Sequence, residues 1–119
     1  MLSQFLASVA DPKGGGLSPD RVGGALKMSV ADMARVTRLH RNTLTRTPHS
    51  PSVQARVGEV ARIVAAASEL IGDDHKAAVW FRHQPLAGFG GRTAEELVAA
   101  GHADAVLKHL DQLADGAYV

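Results

Sequence analysis

Apolar residues recur along this chain at steps of three and four, not two, and that period predicts helices rather than strands. The clearest case is the stripe Val53, Val57, Val60, Val64, Ala67 and Ile71, which predicts one long amphipathic helix over 52–71, capped by Ser52 and stopped by Gly72. Shorter units flank it. Leu2 to Val9 can form one short helix, and the run from Asp11 to Gly16, rich in glycine, reads as a flexible linker. Ser18-Pro19-Asp20 starts a helix that runs to about Lys27, because Ser18 can accept from an orphan N–H and Pro19 needs none. Ser29 and Asp32 form a capping-box pattern that opens a helix to about Thr37. A tight turn and a short helix over 41–46 follow, and Thr47 to Pro51 breaks the chain. Asp73 or Asp74 opens a helix carrying Ala77, Ala78, Trp80 and Phe81, which must end before Pro85. The loop 85–92 leads to the Thr93–Glu96 capping box and a helix that stops at Gly101. A last helix over 103–114 turns Val106, Leu107, Leu110 and Leu113 inward, and Gly116 stops it. The fold class is all-α.

Composition adds exclusions. The chain has 119 residues and no cysteine, so disulfides, thiolate metal sites and a cysteine nucleophile are out. No apolar run approaches the roughly 20 residues needed to cross a bilayer. The first ten residues lack the basic start of a secretory signal, and a cytoplasmic protein is expected.

The formal charge of +1 argues against a histone-like binder, yet it hides an asymmetry. Residues 1–62 hold nine Lys and Arg against four acids, a net +5; residues 63–119 hold four against eight, a net −4. Two chemically different halves imply two partners.

In the basic half, residues 29–46 have the layout of a helix-turn-helix. Met33 and Ala34 let the helices cross closely, and Leu39 and Leu44 plug the joint. Candidate DNA-binding residues are Arg38, His40, Arg41, Asn42, Thr43, Thr45 and Arg46. Arginine suits guanine, asparagine suits adenine, and threonine suits phosphate or the thymine methyl. The competing reading is a solvated basic face on an ordinary bundle. Arg38 stands where such turns usually carry glycine, and a left-handed arginine costs roughly 1–2 kcal/mol.

Catalytic chemistry is not supported. None of the six histidines pairs at metal-binding spacing, Gly88-Phe89-Gly90-Gly91 lacks a dinucleotide fingerprint, and Glu95 with Glu96 read as helix-dipole partners. No enzyme activity, metal or cofactor is expected.

The acidic half carries a family resemblance. The Trp80 helix, Pro85-Leu86 followed by Gly88, the Thr93 cap with Glu96-Leu97, Gly101, Val106 with Leu110, and Gly116-Ala117-Tyr118-Val119 together resemble the toxin-binding domain of Xre/MbcA/ParS-type antitoxins. The resemblance spans about residues 18–119; it departs at Ala94, where the family often has proline. It implies an N-terminal Xre-like helix-turn-helix bundle joined by a long helix to a small helical toxin-binding domain. The implied layout is a flexible segment over 1–17, a DNA-binding region over 18–62 and a toxin-binding domain with its tail over 63–119. It also implies an antitoxin that blocks the active-site cleft of a cognate NAD-consuming RES-domain toxin and represses its own operon. The toxin-binding residues so implied are Gly116, Ala117, Tyr118 and Val119, with Arg82 and Arg92 as rim contacts. Three extended residues reach roughly 10 Å, and Tyr118 is a suitable rigid anchor; the alternative is a tail folded back on the bundle. Partners are the toxin, operator DNA and a second protomer paired along the long helix, with no membrane. The rival reading is a helix-turn-helix regulator whose C-terminal half dimerises or senses a ligand.

Overall fold

The computed structural model describes residues 3–116. Its eight helices, among the described residues, are α1 (Gln4–Ser8), α2 (Pro19–Leu26), α3 (Val30–Thr37), α4 (Arg41–Arg46), α5 (Pro51–Ile71), α6 (Asp74–His83), α7 (Ala94–Ala99) and α8 (Ala103–Gly116). No strand occurs among them; two isolated bridges join Ala10 to Leu17 and Pro85 to Thr93. The fold is all-α.

Local caps explain most boundaries. Ser18 Oγ accepts from Arg21 N, and the Ser29–Asp32 and Thr93–Glu96 boxes are both closed reciprocally. One start differs from expectation. The cap of α5 is Ser50, not Ser52: its Oγ accepts from Val53 N at 3.3 Å, and Pro51 takes the first helical position, where no N–H is needed. Similarly, α8 runs two residues past 114, to Gly116.

The long helix α5 is the axis of the molecule. It packs against α1, α6 and α8, and more lightly against α2 and α3. Val53, Val57, Val60, Val64 and Ala67 are buried as the stripe predicts, and so are Gly58, Ala61, Ile63 and Ala65 on adjoining faces. A helix covered on several sides needs this wider apolar surface. Ile71 departs from the stripe. It is 41% exposed in the last turn of α5. The stripe was also expected to pair two protomers, but its valines are spent on packing within the chain.

The two halves share one core. A single apolar cluster runs from Phe5 and Val9 through Val22, Met33 and Leu44 to Phe81, Leu97 and Leu110. Across the charge boundary, α3 packs on α7 and α2 on α6. Residues 3–17, expected as a flexible segment, contribute buried Phe5 and Val9 and lie against α5. Gln54 ties the end of this segment down. Its Oε1 accepts from Leu17 N at 2.9 Å, and its Nε2 donates to the Leu17 and Pro48 carbonyls at 2.8 Å. His49 Nε2 lies 2.8 Å from Asp11 Oδ2 beside it.

Close approach sets one glycine. A Cβ on Gly23 would lie 3.2 Å from Met33 Cγ and 3.3 Å from the Met28 carbonyl, so α2 and α3 cross where no side chain fits easily. No helix among the described residues is long and apolar enough to cross a membrane.

Candidate functional site

The α3–turn–α4 region, expected to be a helix-turn-helix, is built from local rules. Helix α3 ends at Arg38, whose backbone is left-handed at φ 58°, ψ 37°, the conformation the turn demands. Leu39 N then donates to the Ala34 carbonyl at 3.1 Å, closing the turn. Lys27 ends α2 in the same way: its φ is 56°, and Met28 N donates to the Gly23 carbonyl at 2.8 Å. Both sites place a side chain where glycine is the usual choice.

His40 caps α4, its Nδ1 accepting from Asn42 N at 3.1 Å. Leu44 plugs the joint with α3 as its position predicts, and Thr43 is half-buried beside it. The solvent face of α4 carries Arg41, Asn42, Thr45 and Arg46. Thr45 turns its hydroxyl back to the Arg41 carbonyl at 3.2 Å. Among the described residues, neither Arg41 nor Arg46 has an acidic partner.

Arg38 sits elsewhere. Its Nη2 is 4.0 Å from Glu59, and a Cβ on Gly101 would come within 2.5 Å of its Nη1. The guanidinium therefore lies over the turn between α7 and α8. Gly101 is doubly constrained there, because its φ of +91° also disfavours any side chain.

In the acidic half, the loop between α6 and α7 is pinned at its base. Leu86 N donates to the Arg92 carbonyl at 2.9 Å, and Leu86 is buried. Phe89 packs edge-on against His109, with centroids 5.6 Å apart. Arg92 is exposed, and its Nε reaches back to the Phe89 carbonyl at 3.2 Å. Phe81 is a core residue and Trp80 is half-buried against that core. Gly116 is half-buried at the end of α8; Ala117, Tyr118 and Val119 lie outside the described residues.

A charged joint connects the halves. Glu95, whose side chain is only 9% exposed, accepts from Arg82 Nε at 2.7 Å and from Arg35 Nη2 at 2.8 Å. Arg82 Nη1 donates to the Lys27 carbonyl at 2.8 Å, and its Nη2 lies 3.4 Å from Asp32. Glu95 thus does more than complement a dipole: it ties α7 to both α3 and α6. Arg82, expected at the rim of a partner contact, has each guanidinium nitrogen engaged within the chain. The hydrogen bond from Arg35 to Glu95 holds the guanidinium protonated above its ordinary range, with the charges of Glu95 and Asp32 adding to it. The backbone N–H of Ser29 holds the Asp32 carboxyl below its ordinary range, helped by the Ser29 hydroxyl, Arg82 and Arg35. A sequence signal for Glu95 existed. It falls three residues before buried Val98, on the inward side of α7.

These features define a helical protein with a short, exposed basic helix, α4, and a packed three-helix unit formed by α6, α7 and α8. Residues 66–116 of that chain match the family model of the antitoxin Xre/MbcA/ParS C-terminal toxin-binding domain. The match runs from the last turns of α5 through α8. The match supports an antitoxin role, with a cognate toxin as the partner of the matched domain. No curated protein matches the chain.

Proposed function

We propose that this chain is the antitoxin of an NAD-consuming RES-domain toxin, and that it represses its own operon through α3 and α4. The match of residues 66–116 to a toxin-binding domain carries the reading. In it, residues 117–119 leave the end of α8 and enter the toxin's active-site cleft, Tyr118 serving as the anchor. Arg92, exposed beside the pinned loop, is a second contact. The DNA side rests on the exposed quartet Arg41, Asn42, Thr45 and Arg46, which has side chains suited to bases and phosphates. A homodimer would present two such helices to a palindromic operator.

Co-expression with a RES-domain toxin, which this reading expects the neighbouring gene to encode, tests the reading. Cellular NAD should be preserved by the full chain and consumed when residues 117–119 are deleted. Neutralisation undiminished by that deletion would remove the cleft-blocking mechanism. Arg41→Ala with Asn42→Ala should abolish operator binding and spare neutralisation; operator binding at full strength would refute the DNA-reading role of α4.

A further inference from the structure

The face of α6 that looks away from the core borders an open cleft of about 240 Å³ between α2 and α6. His75, Val79 and His83 line it, spaced four residues apart on one helix face. Ala78 forms part of the floor, and Lys27 faces them from the end of α2. No acidic side chain lines the cleft. Lys27 has no acidic partner among the described residues, and Val79 is 47% exposed although apolar. The wall is held in place: the Lys27 carbonyl accepts from Arg82, which Glu95 anchors in turn. The site is therefore preformed, with an apolar contact at its centre, imidazole groups on both sides and an ammonium opposite.

We infer that this cleft is a second docking surface for the toxin, and that its occupant is a toxin segment presenting an apolar side chain flanked by carboxylates. The inference rests on the toxin-binding reading above. All of α6 lies within the matched residues 66–116, so its outward face belongs to the unit that meets the toxin. Charge complementarity selects the occupant: an ammonium and imidazole N–H groups without a facing acid suit carboxylates. Val79 offers an apolar contact at the centre, where desolvation makes such contacts count. The cleft lies apart from residues 117–119 in sequence and recruits Lys27 from outside the matched unit. Toxin affinity then has a component that survives loss of the tail.

The test uses the full chain and the RES-domain toxin that the proposed function assigns to it, in a calorimetric titration. Val79→Asp and Lys27→Glu should each weaken toxin binding at least tenfold, while the melting temperature and operator affinity stay unchanged. Both positions are exposed, so either variant keeps the fold under test, and the melting temperature verifies it. Binding by both variants within twofold of the unsubstituted chain would overturn the cleft alone. A loss of operator affinity in Lys27→Glu with toxin affinity intact would reassign the cleft to phosphates and overturn it as well. Absence of toxin binding by the unsubstituted chain would overturn the toxin reading itself, and the cleft with it.

Discussion

Replacing Arg82 by methionine keeps the apolar stem and removes the charge. Glu95, only 9% exposed at its side chain, would then be left with Arg35 as its single cation. The Lys27 carbonyl would also lose its donor. Breaking a buried ion pair from one side typically costs about 3–5 kcal/mol, since the remaining charge stays desolvated. Here the cost is smaller, because Arg35 still bonds Oε2 at 2.8 Å. One charged hydrogen bond is worth about 1.5–3 kcal/mol, so we expect a loss of about 2–3 kcal/mol. With an unfolding entropy of about 2.1 cal/mol/K per residue, a chain of this length loses about 4 °C per kcal/mol, or about 8–12 °C in all. Thermal unfolding followed by circular dichroism reads this directly. Arg35→Met should cost less, about 1 kcal/mol, since its side chain is 49% exposed against 21% for Arg82. The double variant Arg82→Met with Glu95→Leu should recover part of the loss, because no unpaired carboxylate stays buried. A loss below about 1 kcal/mol in Arg82→Met, or a double variant worse than the single, would refute the joint. Toxin affinity discriminates too. If Arg82 met the toxin instead, the methionine variant would lose binding at an unchanged melting temperature.

Two further predictions concern the fold. Lys27→Gly should stabilise the chain by about 0.5–1 kcal/mol in urea unfolding, because the left-handed backbone at φ 56° is free of strain only in glycine. Arg38→Gly should gain less, since it also gives up the contacts of the guanidinium with Glu59 and the Gly101 turn; equal gains at the two sites would show that those contacts contribute nothing. The second concerns pH. Asp32, Asp11 and Glu96 are held below their ordinary values chiefly by the backbone N–H groups of Ser29, Lys13 and Thr93 respectively. Groups depressed in the folded state stabilise it fully above their unfolded values, 3.8 for Asp and 4.5 for Glu, and stop doing so as pH falls through the folded ones. The urea midpoint should therefore be flat above about pH 5 and drop below about pH 4. Asp32→Asn should flatten the drop, and an unchanged pH profile in that variant would show that the Ser29 cap does not titrate with stability.

The helices were legible because their ends are written locally. Ser18 with Pro19, Ser29 with Asp32, and Thr93 with Glu96 each close within four residues, so spacing alone predicts them. Ser50 and Ser52 flank one proline, and periodicity could not choose between them; the missing N–H of Pro51 does. The solvent face of α4 was readable for the same reason, since Leu44 fixes which side turns in and leaves Arg41, Asn42, Thr45 and Arg46 outside. What the pattern hid is everything joined over distance. Arg35 meets Glu95 across 60 residues and Arg82 meets it across 13, and neither separation leaves a local mark. Gln54 reaches back 37 residues to Leu17, which is how an apparent linker becomes part of the packed body.

The same distance effect revises the charge asymmetry. A basic half of +5 and an acidic half of −4 read along the chain as two faces awaiting two partners. Folding spends part of that contrast internally. Arg35 of the basic half is bound to Glu95 of the acidic half, and Arg38 turns toward the α7–α8 turn. The charge available to a partner is therefore set by which side chains remain unpaired after packing, not by the sum over a segment. By that measure, among the described residues, Arg35 and Arg38 are withdrawn from the nine cations of the basic half, while Arg41 and Arg46 on α4 and Lys27 at the α6 cleft are among those left without an acidic partner. Operator binding through α4 should accordingly show the salt dependence of a few phosphate contacts per protomer rather than of nine cations. A steep dependence on salt, undiminished in Arg41→Ala with Arg46→Ala, would mean that DNA is held by a different face.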